Sequence, residues 1–142
     1  MNDLMEQLLH LADEVRYVAV YQHGGLSSAV RAGLSGASSS ESDRFEELIV
    51  NPTLLRLVTQ RGNIDCGGVE YIVIRYGNFF QLVHPIVGGH VSVALEATAD
   101  PLRVVPELRR ILNAGGIAFA GGEGRPPRPL CSADSEIPSN TL

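Results

Sequence analysis

Three consecutive segments between residues 68 and 97 constrain the fold more than any other part of the sequence. Residues 68–76 (GVEYIVIRY), 79–87 (FFQLVHPIV) and 90–97 (HVSVALEA) are rich in β-branched and aromatic residues. The Gly77-Asn78 and Gly88-Gly89 pairs that separate them are typical of tight turns. In the third segment, apolar and polar residues alternate as in a half-buried strand. The pattern therefore predicts an antiparallel meander of three strands.

The residues before the meander predict a helix, a hairpin and a second helical region. Residues 3–15 place apolar side chains at helical spacing. Residues 16–33 hold two extended runs on either side of a Gly-Gly turn, which predicts a hairpin. Helical spacing resumes near Ser40 and continues to about Gly62. Pro52 interrupts that region, which predicts either two short helices or one kinked helix.

The residues after the meander predict a closing helix and then a tail. Asp100-Pro101 is typical of a helix start, and apolar spacing continues to about Asn113. Residues 114–142 are rich in Gly, Pro and Ser, so we expect a domain over residues 1–113 and a disordered tail over 114–142. The order α-β-β-α-β-β-β-α predicts an α/β sandwich (α+β), a five-stranded antiparallel sheet with helices on both faces.

Charge and hydropathy exclude two classes of function. All eleven basic residues are arginine, they are scattered, and the net charge of the 142-residue chain is -5. No basic stripe is present to neutralise phosphates, so we expect no nucleic-acid partner. No apolar run is long enough to cross a bilayer, so we expect no membrane insertion. The N-terminal residues carry acids and no basic region, which favours a cytoplasmic protein.

Candidate catalytic and metal-binding residues do not form a recognisable motif. His84 and His90 flank a turn and could approach each other, but spacing offers no third metal ligand. Cys66, Ser27 and Ser28 lie outside any nucleophile-elbow sequence. No glycine pair is followed by the Lys-Ser/Thr of a phosphate loop. We therefore predict no catalytic, cofactor-binding or metal-binding residue, no cofactor, and no enzymatic activity.

Three stretches resemble the roadblock/dynein-light-chain family: VRYVAVYQHGGLSSAV, GVEYIVIRYGNFFQLVHPI and GGHVSVALEATADPLRVVPELRRIL. The resemblance covers about residues 3–113 and also includes the order of the elements. It implies a profilin-like fold and a homodimeric or heterodimeric scaffold that regulates a small GTPase or adapts a larger complex. Profilin-like relatives also include ligand-sensing domains, so the alternative function is small-molecule sensing. A polar, pocket-forming sheet face opposite the first and closing helices would favour the sensor.

The resemblance also implies how two subunits meet. It places the strand at residues 68–76 on the sheet edge, where residues 69–76 have neither lysine nor proline to discourage pairing. Two such strands would pair about a two-fold axis, and the second helical regions would pack against each other. The candidate interface residues are Phe45, Leu48, Leu55, Val58, Val69, Tyr71, Ile72, Val73 and Ile74.

Overall fold

The computed structural model describes residues 2–34 and 39–120, so most of the predicted tail, residues 121–142, lies outside the described residues. The elements are α1 (Asn2–Leu9), β1 (Val15–Gln22), β2 (Gly25–Val30), α2 (Ser40–Phe45), a π-helical turn (Glu46–Val50), α3 (Asn51–Asp65), β3 (Ile72–Arg75), β4 (Phe79–Ile86), β5 (Gly89–Glu96) and α4 (Pro101–Ala114). The strands form one antiparallel sheet in the order β2-β1-β5-β4-β3. The predicted fold class is confirmed.

The sheet face beneath α1 and α4 holds the main hydrophobic core. Side chains along a strand point alternately to its two faces, so Val18 and Val20 of β1 lie on this face, while Tyr17 and Ala19 lie on the other. Burying each large aliphatic side chain contributes roughly 1.5–3 kcal/mol to stability. The other buried members of this core are Met5, Leu8, Val15, Leu82, Ile86, Val91, Val93, Leu95, Val104, Val105, Leu108, Ile111 and Leu112.

Helix α1 ends earlier than the predicted range of residues 3–15. It stops at Leu9, and Val15 already belongs to β1, where it pairs with β5. Arg31 donates hydrogen bonds to three backbone carbonyl oxygens between residues 9 and 13, which stabilises the turn between helix and strand. Pairing and burial in the sheet therefore override the place of Val15 in the helical apolar pattern.

The second helical region runs without a break from α2 through the π-helical turn into α3, and its hydrogen-bond pattern changes from α to π just before Pro52. Pro52 has no N–H to bond the carbonyl oxygen of Leu48, and in an α-helix its ring would crowd that carbonyl. The Asn51 N–H donates instead to the oxygen of Glu46, five residues earlier, which is the π-helical pattern. The predicted break or kink at Pro52 is thus accommodated by the π-helical turn between α2 and α3.

Within residues 2–34 and 39–120, strand β3 forms one edge of the sheet and pairs only with β4. At the turn between them, the Tyr76 N–H donates to the Phe79 oxygen at 2.9 Å. Tyr76 and Phe79 are therefore a hydrogen-bonded pair. Because such pairs occur at every second residue of an antiparallel ladder, Ile72 and Ile74 are also hydrogen-bonded to β4. The N–H and C=O groups of Val73 and Arg75 therefore point outward, away from the sheet.

Strand β3 is shorter than the predicted strand over residues 68–76, and Pro85 is the reason. Ile72 lies opposite Val83 of β4. The next hydrogen-bonded pair would place residue 70 opposite Pro85. Because proline has no N–H to donate, the ladder ends at Ile72.

Residues 117–119 lie along the end of β4 that β3 leaves open. The Val87 N–H, on the same side of the strand as the bonds to β3, donates to the Ala118 oxygen at 2.9 Å. Phe119 forms a bridge with the last residue of β4 and packs against the main core. The packed body therefore extends past the predicted boundary at residue 113.

Phe119→Ala is expected to lower the free energy of unfolding by roughly 1–3 kcal/mol, because a partly buried ring is lost. The centroid of that ring lies 4.8 Å from the His84 ring. Urea denaturation followed by circular dichroism measures the change. The control is Leu102→Ala, which removes an exposed apolar side chain and is expected to change stability by less than about 0.5 kcal/mol. Equal effects in the two variants would contradict the docking of residues 117–119.

Candidate functional site

The sheet face beneath α2 and α3 carries a buried polar cluster instead of a purely apolar core. His90 and Ser92 of β5 and Gln81 of β4 point to this face. Glu47 of the π-helical turn and Asn51 of α3 reach them from the helical side. All five side chains are between 0% and 2% exposed. We refer to these five residues as the buried polar cluster.

Glu47 is the centre of the buried polar cluster. Its carboxylate accepts hydrogen bonds from His90 Nε2 at 2.7 Å, the Ser92 hydroxyl at 2.9 Å and Asn51 Nδ2 at 2.9 Å. Gln81 Nε2 donates to the Ser92 hydroxyl. A buried carboxylate requires such partners, because an isolated charge in the protein interior is strongly destabilising. The cluster therefore links the π-helical turn to the centre of the sheet.

Part of this cluster could have been found in the sequence. The alternation of β5 already indicates that His90 and Ser92 point away from the valines of the same strand. A strand at the centre of a covered sheet buries both faces, so polar residues there need buried partners. The sequence pattern missed Glu47 and Asn51, because the π-helical turn changes which side chains of that region face the sheet.

A cavity of about 460 Å³ lies next to the buried polar cluster, between the sheet and the helical segments that cover it. Tyr17 and Gln81 line its floor, and the carboxylates of Asp43, Glu46 and Glu47 line its helical wall. The turn between β3 and β4 closes another side. A cavity of this size with a few polar groups can accommodate a small molecule.

Burial raises the pKa values of three side chains around the cavity. Burial, reinforced by the charges of Glu47 and Asp43, raises the pKa of Tyr17 well above its usual range. Burial also raises the pKa of Glu46, whose carboxylate accepts from the Tyr76 hydroxyl at 2.8 Å. Burial and this hydrogen bond raise the pKa of Tyr76 to about 12. Both tyrosines are therefore neutral at physiological pH, and each faces a carboxylate as a hydrogen-bond donor.

His84 and His90 lie on opposite faces of the sheet although they flank the same turn. His84 packs beneath α4, where its Nε2 accepts from Arg109 Nε at 3.0 Å. Burial lowers the pKa of His84, which favours the neutral ring that can accept this bond. Across residues 2–34 and 39–120, no group of three His, Cys, Asp or Glu side chains could hold a metal ion.

The candidate interface residues divide into exposed and buried positions. Phe45 is 59% exposed on α2, Val58 is 38% exposed on α3, and Val73 is 37% exposed on β3. Leu55 is buried within the subunit. The remaining candidates are partly buried: Leu48, Val69, Tyr71, Ile72 and Ile74.

The element order, the strand order and the placement of helices on both faces define an α+β sandwich built on a five-stranded antiparallel sheet. The crystal structure of a Roadblock/LC7 domain from Streptomyces avermitilis is similar to this chain, with a TM-score of 0.59 and 17% sequence identity over 80% of this chain and 92% of that one. The chain therefore has the roadblock/LC7 fold. Neither a family model nor a curated protein matches the sequence. No helix in the described part of the chain has both the length and the apolar character of a membrane span.

Proposed function

We propose that this chain is a dimeric, non-enzymatic scaffold or regulatory domain. The observation that carries the proposal is the free edge of β3. Within the described residues, no strand pairs with the outward backbone groups of Val73 and Arg75. Neither lysine nor proline occurs in Ile72–Arg75, so the strand lacks two common protections against edge pairing. Pairing of two β3 strands about a two-fold axis would join two sheets into one.

The helical surface next to β3 supports the same interface. Tyr76 follows β3 and donates a hydrogen bond to Glu46 of the π-helical turn, which keeps that turn close to the sheet edge. Apolar side chains are exposed along the helical region, and burying them against a second copy would add to the energy of strand pairing. These exposed side chains are Phe45, Ile49, Leu57, Val58 and Ile64.

We propose a small GTPase or a component of a larger complex as the partner of the dimer. This part of the proposal rests on the likeness to roadblock domains, and such a likeness in fold is an analogy. Affinity capture of the tagged chain from its native host, followed by mass spectrometry, tests it. Enrichment of a GTPase or of several subunits of one complex is the expected result. Recovery of the chain alone would count against it.

Val73→Pro is expected to convert the dimer to a monomer without unfolding the subunit. The substitution removes one outward N–H, and it leaves the hydrogen bonds between β3 and β4 in place. Sedimentation equilibrium should give twice the monomer mass for the wild type. We expect the dissociation constant of the variant to rise by at least about tenfold. Circular dichroism of the variant should still show a cooperative thermal transition.

The matched control for this experiment is Val73→Thr. Threonine keeps the backbone N–H and the β-branched shape, so this variant is expected to remain dimeric. If the wild-type protein is monomeric at high micromolar concentration, the proposal that it forms a dimer is wrong. Equal dissociation constants for the proline and threonine variants would show that the edge of β3 is not the interface.

A further inference from the structure

We propose that the cavity beside the buried polar cluster binds a small organic cation, an ammonium group carried on an apolar or aromatic body. The proposal goes beyond the dimeric scaffold. Described residues of one subunit line the cavity, and one of them, Phe45, also belongs to the proposed dimer interface. It also gives the alternative function, small-molecule sensing, a specific site and a class of ligand. Four features of the cavity support the assignment: its size, its unused acceptor, its charge and its aromatic walls.

The size of the cavity suits an organic molecule better than a bare ion. Its volume of about 460 Å³ falls within the range of roughly 300–1,000 Å³ that is common for small-molecule sites. Val30, Val50 and Ala94 contribute apolar surface to the lining. Such walls would surround a hydrocarbon body, whereas an ion would gain little from them.

The floor of the cavity contains a hydrogen-bond acceptor without a donor. Gln81 is 2% exposed and lines the cavity. Its Nε2 donates to the Ser92 hydroxyl, which donates in turn to Glu47, so the orientation of the amide is determined by this chain of bonds. Within the described residues, no donor reaches Gln81 Oε1. Because Gln81 lines the cavity, this oxygen is placed to accept a hydrogen bond from a ligand that supplies an N–H.

The charge of the lining favours a cation. Three acidic residues line the cavity: Asp43, Glu46 and Glu47. Arg16, a cation among the described lining residues, forms an ion pair with Glu96 at 2.5 Å. Partial burial weakens solvent screening around Glu46, so a positive charge placed beside it would be attracted more strongly than at the surface. An anionic ligand would meet repulsion from the same three groups.

Aromatic side chains determine which kind of cation fits. Tyr17, Phe45, Tyr76 and Phe79 line the cavity. The faces of aromatic rings attract ammonium groups and also stack on apolar bodies. A primary ammonium brings three N–H donors, which could serve Gln81 Oε1 and the carboxylates together. We therefore assign the site to primary amines with an aromatic or aliphatic body.

Three probes of similar shape and different charge test the assignment on the full-length wild-type protein. Phenethylammonium is positive, 2-phenylethanol is neutral and 3-phenylpropionate is negative at neutral pH. We expect isothermal titration calorimetry to detect binding of the amine. The dissociation constants of the other two probes should be at least about tenfold larger. Equal affinity for the three probes would overturn the proposal. So would an affinity for the amine weaker than about 10 mM.

Variants of the lining locate the binding. Asp43→Asn combined with Glu46→Gln removes two charges from the cavity and keeps similar side-chain shapes. We expect this double variant to bind phenethylammonium at least about tenfold more weakly than the wild type. The control is Glu41→Gln, which removes one charge from the exposed face of α2 and should leave the affinity unchanged. Amide chemical-shift changes in the wild type should centre on Phe79 and Gln81. Shifts elsewhere, or full affinity in the double variant, would contradict the site whatever the oligomeric state.

Discussion

Glu47→Leu is expected to lower the free energy of unfolding by roughly 3–5 kcal/mol. Leucine leaves three buried donors, on His90, Ser92 and Asn51, without the carboxylate that they share. Each unsatisfied buried donor destabilises by about 1–3 kcal/mol. A domain of this kind is stable by only about 5–15 kcal/mol, so a large part of the total would be lost. Urea denaturation followed by circular dichroism measures the difference.

The control is the same substitution at an exposed glutamate of the neighbouring helix. Glu41→Leu removes a charge from the first turn of α2 but breaks no buried hydrogen bond, so the loss is expected to stay within about 1 kcal/mol. If Glu47→Leu and Glu41→Leu were equally stable, the buried polar cluster would not connect the helical region to the sheet. The cavity beside it would then lack a defined wall.

Gly89→Ala is expected to destabilise the fold by at least about 3 kcal/mol, although it adds only one methyl group. A Cβ at this position would lie 1.7 Å from the Tyr21 carbonyl oxygen and 2.7 Å from its carbonyl carbon. Both atoms belong to the backbone of β1, whose Gln22 pairs with Gly89. Neither atom can move away unless the pairing of β1 with β5 opens. Thermal and urea denaturation should both record the loss.

Gly77→Ala is the matched control for the glycine substitution. Gly77 lies in the turn between β3 and β4, a Cβ there would have no atom within 4 Å, and its φ is not positive. The variant is expected to stay within about 1 kcal/mol of the wild type. Wild-type stability in Gly89→Ala would mean that β1 and β5 lie further apart than the structure shows.

Most of the sheet could be predicted because its signals are local. Each strand of the meander carries its own alternation or β-branched run, and turn residues separate the strands. The ends of the elements could not be predicted in this way. The length of β3 depends on Pro85, which belongs to the neighbouring strand, and the end of α1 depends on the burial of Val15 in the sheet.

The glycine pairs illustrate the same limit. The sequence predicted Gly88 and Gly89 as equivalent turn residues, and Gly88, with its φ of 85°, does lie in the turn. Gly89 belongs to β5 and must be glycine because the backbone of β1 passes directly over it. Nothing in the segment around Gly89 carries that information, because the crowding atoms come from a strand far away in the chain.

By itself the sequence determined the order of the elements, the antiparallel sheet and the faces to which His90 and Ser92 point, because these depend on periodicity and on neighbouring residues. Only the tertiary structure decided that Glu47, 43 residues from His90, lies within 2.7 Å of its ring. That approach requires the π-helical turn and the packing of a helix across the sheet. The cavity depends on the same packing, since its walls come from elements that meet only in the folded chain.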